Sequence, residues 1–342
     1  MAENNQKSSD IVISSRVRLA RNIDKFPFPA RMTDEQFSEV LQCVRDASQS
    51  EQGSSFGFKF NSISDMDALD KQALVERHLV SPDLISKNKP CGVVISSDEK
   101  ISIMINEEDH VRIQCLFPGM NVNMAKELCN VADDMLEKKL DFAFSPQYGY
   151  LTCCPTNLGT GIRVSVMLHL PALSMSNNMQ KILEICSRLG IAVRGIYGEN
   201  SESTGNLFQV SNQTTLGQTE DEILANVKNV VNQIVDSERS LRSELYSQNP
   251  IELEDSVFRS FGILTNARTI TTAESLKLIS AVRMGADMGI IKEVDVEKLN
   301  QLMYWVQPAL LQKKAGRLLN QSERDTGRAE MIRESLINTR EG

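Results

Sequence analysis

Three short β-branched runs, 91–97, 101–106 and 111–117, are joined only by residues 98–100 and 107–110. Parallel neighbours need a crossover of roughly a dozen residues or more, so connections this short force an antiparallel meander. Further strand-like runs recur near 148–154, 162–170, 191–196 and 206–213. Helical spacing lies between them. Thr33 and Gln36 form a capping box ahead of Phe37, Val40, Leu41 and Val44. A second helix is expected over about 66–78, with Pro82 as its stop, and others over 122–139, 177–189 and 219–246. The body therefore reads as α+β, a mainly antiparallel sheet flanked by helices. After about 255 the strand signals fade. Leu276, Ile279 and Val282 share a helical face, as do Leu299, Leu302, Met303 and Val306, with Pro308 interrupting. Residues 320–338 look like one more helix, polar and basic. Residues 256–342 are thus expected to be a separate all-α C-terminal domain, and 1–10 a loose polar tail. Two domains suit 342 residues at about 150 per domain.

Charge narrows the function classes. Lys and Arg number 37 against 45 Asp and Glu, a net charge of -8. Such a surface is poorly suited to nucleic acid, whose phosphates need a basic partner. The seven cysteines are an odd count without a CxxC pair, which suits free thiols in a reducing cytoplasm. No apolar stretch near the start reads as a signal peptide, and no run approaches the ~18 apolar residues of a membrane span. Neither GxxxxGK[ST], GxGxxG opening a helix, HRD with DFG, nor HExxH occurs. Three histidines cannot furnish a rich metal site.

What remains is arginine placed beside strands and turns. Arg16 and Arg18 lie two apart, so an extended segment points both the same way. Arg112 follows the acidic turn Asn106-Glu107-Glu108-Asp109-His110. Arg163 follows Cys154-Pro155-Thr156-Asn157-Leu158-Gly159-Thr160-Gly161, and Arg194 opens Arg194-Gly195-Ile196-Tyr197-Gly198-Glu199. Guanidinium forks match phosphate oxygens in bidentate fashion, and five converging would hold a triphosphate without a glycine-rich loop. Singly, each of these arginines reads more simply as a solvated charge, and each turn as an ordinary hairpin tip.

Four ordered segments, SSRVRLARN, NEEDHVRIQ, CPTNLGTGIR and RGIYGE, resemble the signatures of the phosphagen kinases, the ATP:guanido phosphotransferase superfamily that includes creatine and arginine kinases. The likeness spans about 11–245, and PTNLGTGIRVSVMLHLPAL and GNLFQVSNQTTLG resemble its bacterial protein-arginine-kinase branch in particular. The resemblance implies a catalytic domain over 11–250. It implies ATP bound by Ser14, Ser15, Arg16, Val17 and Arg18, by His78 and Arg112, by the backbone and side chains of Arg163, Val164, Ser165, Val166 and Met167, and by Arg194, Gly195, Ile196, Tyr197, Gly198 and Glu199. On a strand, Arg163, Ser165, Met167 and His169 share a face. Mg²⁺ is implied as bridging phosphate oxygens rather than sitting in a protein cage. Glu108 and Glu199 are implied as the carboxylates that clamp the acceptor guanidinium, with Glu108 favoured as the base and Glu107 structural. Cys154 takes the position of the family's reactive cysteine, where neighbouring cations would favour a thiolate; Cys153 is expected on the opposite side of a strand, in packing. Tyr197 stands where arginine kinases tend to carry another arginine, and Asn200 where glycine is frequent in the bacterial branch. Neither change removes a catalytic group.

Two further features bear on the substrate. The small-molecule enzymes carry a helical domain before the first arginine segment; here that segment opens the chain, so an open site for an arginine on a protein surface is expected. Arg324-Asp325-Thr326-Gly327-Arg328-Ala329 matches an RDxxRA motif that in the bacterial branch binds phosphoarginine allosterically; by itself it reads as a charged helix face. The resemblance further implies marking of proteins for a Clp ATPase and its protease, relief of a heat-shock repressor, a small zinc-binding activator and a homodimer. The alternatives are a kinase for a free guanidino compound such as arginine, and a non-catalytic phosphoarginine-binding adaptor.

Overall fold

A computed structural model describes residues 10–176, 179–196 and 203–337. Its centre is an eight-stranded sheet in the order β2-β3-β4-β5-β1-β8-β10-β9, antiparallel at every pairing. The strands are β1 (Val12–Arg21), β2 (Lys59–Ser62), β3 (Gly92–Ile95), β4 (Ile101–Ile105), β5 (Val111–Pro118), β8 (Ile162–His169), β9 (Ile191–Gly195) and β10 (Leu207–Asn212); β6 (Phe144–Ser145) and β7 (Gly149–Tyr150) form a separate ribbon. The meander of β3, β4 and β5 is as its short connections require. The long β1 lies between β5 and β8.

One face of the sheet is closed by α1 (Asp34–Ser48), α3 (Val122–Glu137) and α5 (Glu220–Gln248). Thr33 caps α1 through the expected reciprocal box with Gln36, and Thr219 with Glu222 does the same for α5. Val17, Leu19, Ile113, Cys115, Val164, Val166 and Val210 are fully buried against these helices. α2 (Ala68–Glu76) is shorter than its sequence pattern, and Pro82 starts a helix rather than stopping one. Ser81 accepts from the Leu84 amide, and Pro82 takes the first helical position of Pro82–Ser86, where its missing N–H costs nothing. α4 (Met179–Arg188) lies beside β9.

The helices α6 (Pro250–Asn266), α7 (Thr272–Asp287), α8 (Val296–Trp305), α9 (Pro308–Ala315) and α10 (Gln321–Ile337) surround a second cluster that includes Val257, Phe261, Leu276, Ile279, Leu302 and Ile332. The helical stretch begins at Pro250, a few residues before the strand signals suggest. Gly285 allows α6 and α7 to touch: a Cβ there would lie 2.4 Å from Val257 Cγ1. Pro308 opens α9 after α8 has ended, as an interrupting proline should.

The run 148–154 departs from expectation. Only Gly149 and Tyr150 are strand, and Pro155–Asn157 is a 3-10 turn. Cys153 and Cys154 therefore sit on a loop, not on opposite faces of a strand. The cause is tertiary. Tyr150 exchanges backbone hydrogen bonds with Gly159, and the Cys153 amide is taken by Asp109 Oδ1 at 2.7 Å, so the segment has no ladder to join.

Candidate active site

Strand alternation makes the site. Because successive side chains point to opposite faces, burying Val17, Leu19, Ile113, Val164 and Val166 turns Arg16, Arg18, Arg112, Arg163 and Ser165 outward together. The register sets Arg18 opposite both Arg163 and Gln114, and Arg16 opposite Ser165. Like charges on adjoining strands repel. Burial, then Arg163 and Arg112, lowers Arg16 to about 10. Burial, then Arg16, Arg112 and Arg163, lowers Arg18 well below its ordinary value, and burial, then Arg194 and Arg112, lowers Arg163. Arg16, Arg18, Arg112 and Arg163 thus act on one another, and Arg194, exposed on β9, acts on Arg163.

Few internal acceptors relieve them. Arg16 donates to Gln209 Oε1 (2.5 Å), Arg163 to Ser211 Oγ (3.1 Å), and Arg112 to Glu107 (2.8 Å) and Glu108 (3.2 Å). Arg18 Nε, Arg163 Nε and Ser165 Oγ are buried with no hydrogen-bond partner among the described residues. Buried donors left this way cost free energy that an incoming polyanion would recover.

The acidic turn presents one carboxylate to this face. Asn106 adopts φ 61°, allowed to asparagine in a tight turn, and its amide donates to the Phe37 and Pro90 carbonyls. Glu107 is buried, accepting from Ser81 Oγ, the Glu108 amide and Arg112. Asp109 and His110 are fully buried. Of the five turn residues only Glu108 is exposed. Partial burial raises its pKa; Arg112 opposes this, and Asp109, Glu107 and Asp83 add to it.

Glu108, Cys154, Thr156 and Asn157 line a cavity of about 70 Å³ with Arg18, Arg112 and Arg163. Cys154 Sγ lies 3.0 Å from Thr156 Oγ1. Burial, then Asp109, pushes the Cys153 thiol up. Arg18 also borders a larger cavity of about 490 Å³, lined by Arg16, His78, Val80, Met104 and Gln114 and by Gln307 and Pro308 of the helical region. His78 adopts φ 58°, its carbonyl accepts from Gln114, and burial, then Arg16, lowers it to about 4.

Other expected positions fall elsewhere. Val17, Val164 and Val166 are core side chains, so only their backbone could meet a ligand. Ser15 is buried, donating to the Gly119 carbonyl and accepting from the Asn121 amide. Ser14 and Met167 are partly exposed and pair across β1 and β8. His169 is buried against Ser280 of α7. Gly195 ends β9, while Ile196 packs on the helical cluster. Tyr197, Gly198 and Glu199 lie outside the described residues. Arg324 donates to the Leu319 carbonyl and Gln321. Arg328 is not part of a solvated face: it is 1% exposed and donates to the Val306 and Ile270 carbonyls and to Asp325. Thr326 is exposed, Gly327 half-buried and Ala329 buried.

Supporting residues escaped the sequence reading. Arg21 pairs with Asp133 inside the fold, donates to the Ala20 and Thr160 carbonyls, and lies 3.5 Å over the Tyr150 ring. Gly161, at φ 68°, passes so close that a Cβ would be 2.6 Å from Arg21 Nη1. Asn22 donates to Asp109 and accepts from the His110 amide. Asn22 and Asp109 stand within the motifs quoted above; their mutual contact has no local signal.

A buried-donor cluster beside one raised carboxylate suits transfer between a polyphosphate and a nucleophile that must lose a proton. Known proteins agree. A family model described as the ATP:guanido phosphotransferase C-terminal catalytic domain matches residues 39–241, and one described as the protein-arginine kinase McsB C-terminal domain matches 250–342. The chain belongs to the ATP:guanido phosphotransferase family and is a phosphotransferase. Among relatives, the protein-arginine kinase of Halothermothrix orenii is 50% identical over 327 residues, covering 96% of this chain and 93% of that protein. That of Bacillus subtilis is 47% identical over 329 residues, 96% and 90% of the two chains. Of solved structures, the duplicated taurocyamine kinase from Schistosoma mansoni with bound transition-state-analogue components has a TM-score of 0.63 at 27% identity, over 74% of this chain and 37% of that one, so this chain spans little more than a third of it. Lombricine kinase shares the fold, with a TM-score of 0.58 at 24% identity over 69% and 68% of the two chains. No helix among the described residues is long and apolar enough to cross a membrane.

Proposed function

We propose that this chain transfers the γ-phosphate of ATP to arginine side chains of proteins. The observation that carries it is the convergence of Arg18, Arg112 and Arg163 with Glu108 in one cavity, with buried donors unspent and Arg16 beside Arg18 in the adjoining larger cavity. Relatives 46–50% identical across nearly the whole chain carry the name protein-arginine kinase, which supports arginine in a protein as the acceptor.

In this reading the arginines cradle the phosphates and neutralise charge during transfer. An arginine guanidinium stays protonated in water, so attack needs a base in hydrogen-bond reach. Glu108 takes that proton, its raised pKa suiting the task, and Glu199 completes the clamp. Cys154 tunes the acceptor site and makes the enzyme sensitive to thiol oxidation. His78, neutral at physiological pH, adds a contact beside Arg16 without adding charge. A cluster of guanidiniums repels a bare divalent cation, and no group of three metal-binding side chains occurs among the described residues. Mg²⁺ would therefore arrive on the nucleotide, held by its phosphates.

Wider roles follow the same reading: a cytoplasmic enzyme that marks proteins for a Clp ATPase, regulates a stress-response repressor, works with a zinc-binding activator and dimerises. Arg324 and the turn before it would meet phosphoarginine, while Arg328 holds the motif's helix in place. A kinase for a free guanidino compound is the second reading, favoured by the likeness to taurocyamine kinase.

The test is Glu108→Gln, which keeps size and polarity. Transfer from Mg-ATP to an unfolded arginine-rich protein should fall at least about 10²-fold, with nucleotide binding retained. The product is read by mass spectrometry at mild pH, because the P–N bond is acid-labile. Full activity in this variant would remove Glu108 from the chemistry.

A further inference from the structure

We infer that Asp109 is a positioning residue that holds Glu108 and the Cys154 loop in one fixed geometry. The inference rests on Glu108 being the base proposed above. Asp109 is fully buried, yet it touches neither cavity. Its Oδ1 accepts from Asn22 Nδ2 and from the Cys153 amide, each at 2.7 Å. Three segments far apart in sequence meet on this one oxygen: the end of β1, the acidic turn and the cysteine loop. Its bond to the Cys153 amide joins the immediate neighbours of two groups that line the small cavity. Asp109 follows Glu108, and Cys153 precedes Cys154.

The loop needs such a tie because it has little else. Residues 151–154 are in neither strand nor helix, and their backbone bonds are few. A loop free to drift by an ångström would move Cys154, Thr156 and Asn157 relative to Glu108. Misplacement on that scale costs about 10²-fold in rate. Asn22 closes the arrangement from the other side. It donates to Asp109 and to the Leu151 carbonyl, and its Oδ1 takes the His110 amide. Leu151 and Cys153 of the cysteine loop, and Asp109 and His110 directly after Glu108, are thus tied to Asn22, the residue that follows β1, the strand that carries Arg16 and Arg18.

Asp109 contributes charge as well as position. Oδ2 is buried with no hydrogen-bond partner among the described residues, so the carboxylate keeps an unsatisfied negative end behind the turn. The groups facing Glu108 are Arg112 on β5, Arg163 on β8, Asp109 and Glu107 on the turn, and Asp83 on the helix Pro82–Ser86. The two arginines favour its ionised form and the three acids oppose it. Removing the charge of Asp109 shifts that balance toward ionisation and makes Glu108 a weaker base.

Two substitutions separate the roles. Asp109→Asn retains an acceptor for Asn22 and Cys153 but removes the charge. Asp109→Ala removes both. Phosphate transfer from Mg-ATP is followed against pH for each, with KM for ATP and the thermal midpoint. For Asp109→Asn the acid limb of kcat/KM moves to lower pH by about half a unit or more, with KM for ATP within about twofold of the parent. For Asp109→Ala kcat falls about 10²-fold while KM for ATP is kept, and alkylation of Cys154 by iodoacetamide changes in rate. An acid limb in Asp109→Asn that superimposes on the parent's would overturn the electrostatic role, and unchanged kcat in Asp109→Ala the positioning role. If Asp109→Ala does not fold, the kcat of Asp109→Asn decides: below a tenth of the parent with the thermal midpoint kept contradicts positioning by the shared acceptor alone. A fully active Glu108→Gln would sink the proposed base itself, a result separate from either Asp109 outcome.

Discussion

A guanidinium lowered to about 10 is still charged at pH 7, so Arg16, Arg18, Arg112 and Arg163 repel one another across β5, β1 and β8 whenever no anion is bound. The ligand-free fold is destabilised by its own site. Replacing Arg18 with Gln should therefore raise the thermal midpoint of the ligand-free protein, by roughly 1 kcal/mol of stability, while weakening ATP binding at least about tenfold. Calorimetry with and without nucleotide measures both; a lowered midpoint would show that the cluster is not repulsive. His110 makes a pH-dependent contribution. Its Nδ1 accepts from the Ile23 amide and its Nε2 lies 3.0 Å from the Pro27 carbonyl, an arrangement of the neutral ring. Burial holds it at about 4, against 6.5 in an open chain. The unfolded chain thus takes up the proton first. The stabilising contribution is whole above pH 6.5 and is lost as pH falls toward 4, up to about 3 kcal/mol. Raised carboxyls such as Asp287, at about 6, oppose the trend, so the informative quantity is a difference. Denaturation midpoints of His110→Gln should depend less steeply on pH between 6.5 and 4.5 than the parent's; parallel slopes would contradict the assignment.

Elements differ in how openly the sequence declares them. The meander was legible because its connections exclude any other topology, and the outward arginines because strand period two follows from the buried valines. The loop 151–161 was not, since its course is set by contacts without local signal. Arg21 reaches Asp133 on α3 and the Thr160 carbonyl, and Gly161 turns against Arg21 where no Cβ fits. For the same reason Cys153 and Cys154 read as strand while the Cys153 amide bonds to Asp109 in a distant turn and the Cys154 carbonyl accepts from Thr152 and Asn157 within its own loop. Gly161→Ala should cost about 1–3 kcal/mol from the positive φ and the close approach, with a matching loss of transfer, because the loop carries Asn157 and Thr156. Asp133→Ala should cost more, about 3–5 kcal/mol, by leaving Arg21 buried and unpaired. Urea denaturation measures both, and a tolerant Asp133→Ala would mean that Tyr150 and the carbonyls alone satisfy Arg21.

Across the molecule, the helices after Pro250 are joined to the sheet at defined points. Glu76 is buried at the end of α2 and accepts from the Ala309 and Leu310 amides, capping α9 beside the larger cavity. Arg328 takes the carbonyl of Val306, just before that cap. The RDxxRA segment is thus tied to the same turn that walls Arg16 and His78, a relation invisible in a helix pattern read by itself. Glu76→Ala would strand two buried amides at about 1–3 kcal/mol, seen as a lower calorimetric midpoint. At this scale the central claim is the acceptor. The protein should be given Mg-ATP with an unfolded arginine-rich polypeptide and free arginine in the same tube, and the phosphorylated products separated by mass spectrometry at mild pH. Phosphate on polypeptide arginine, absent with Glu108→Gln, is the expected result; phosphate on free arginine alone would contradict it.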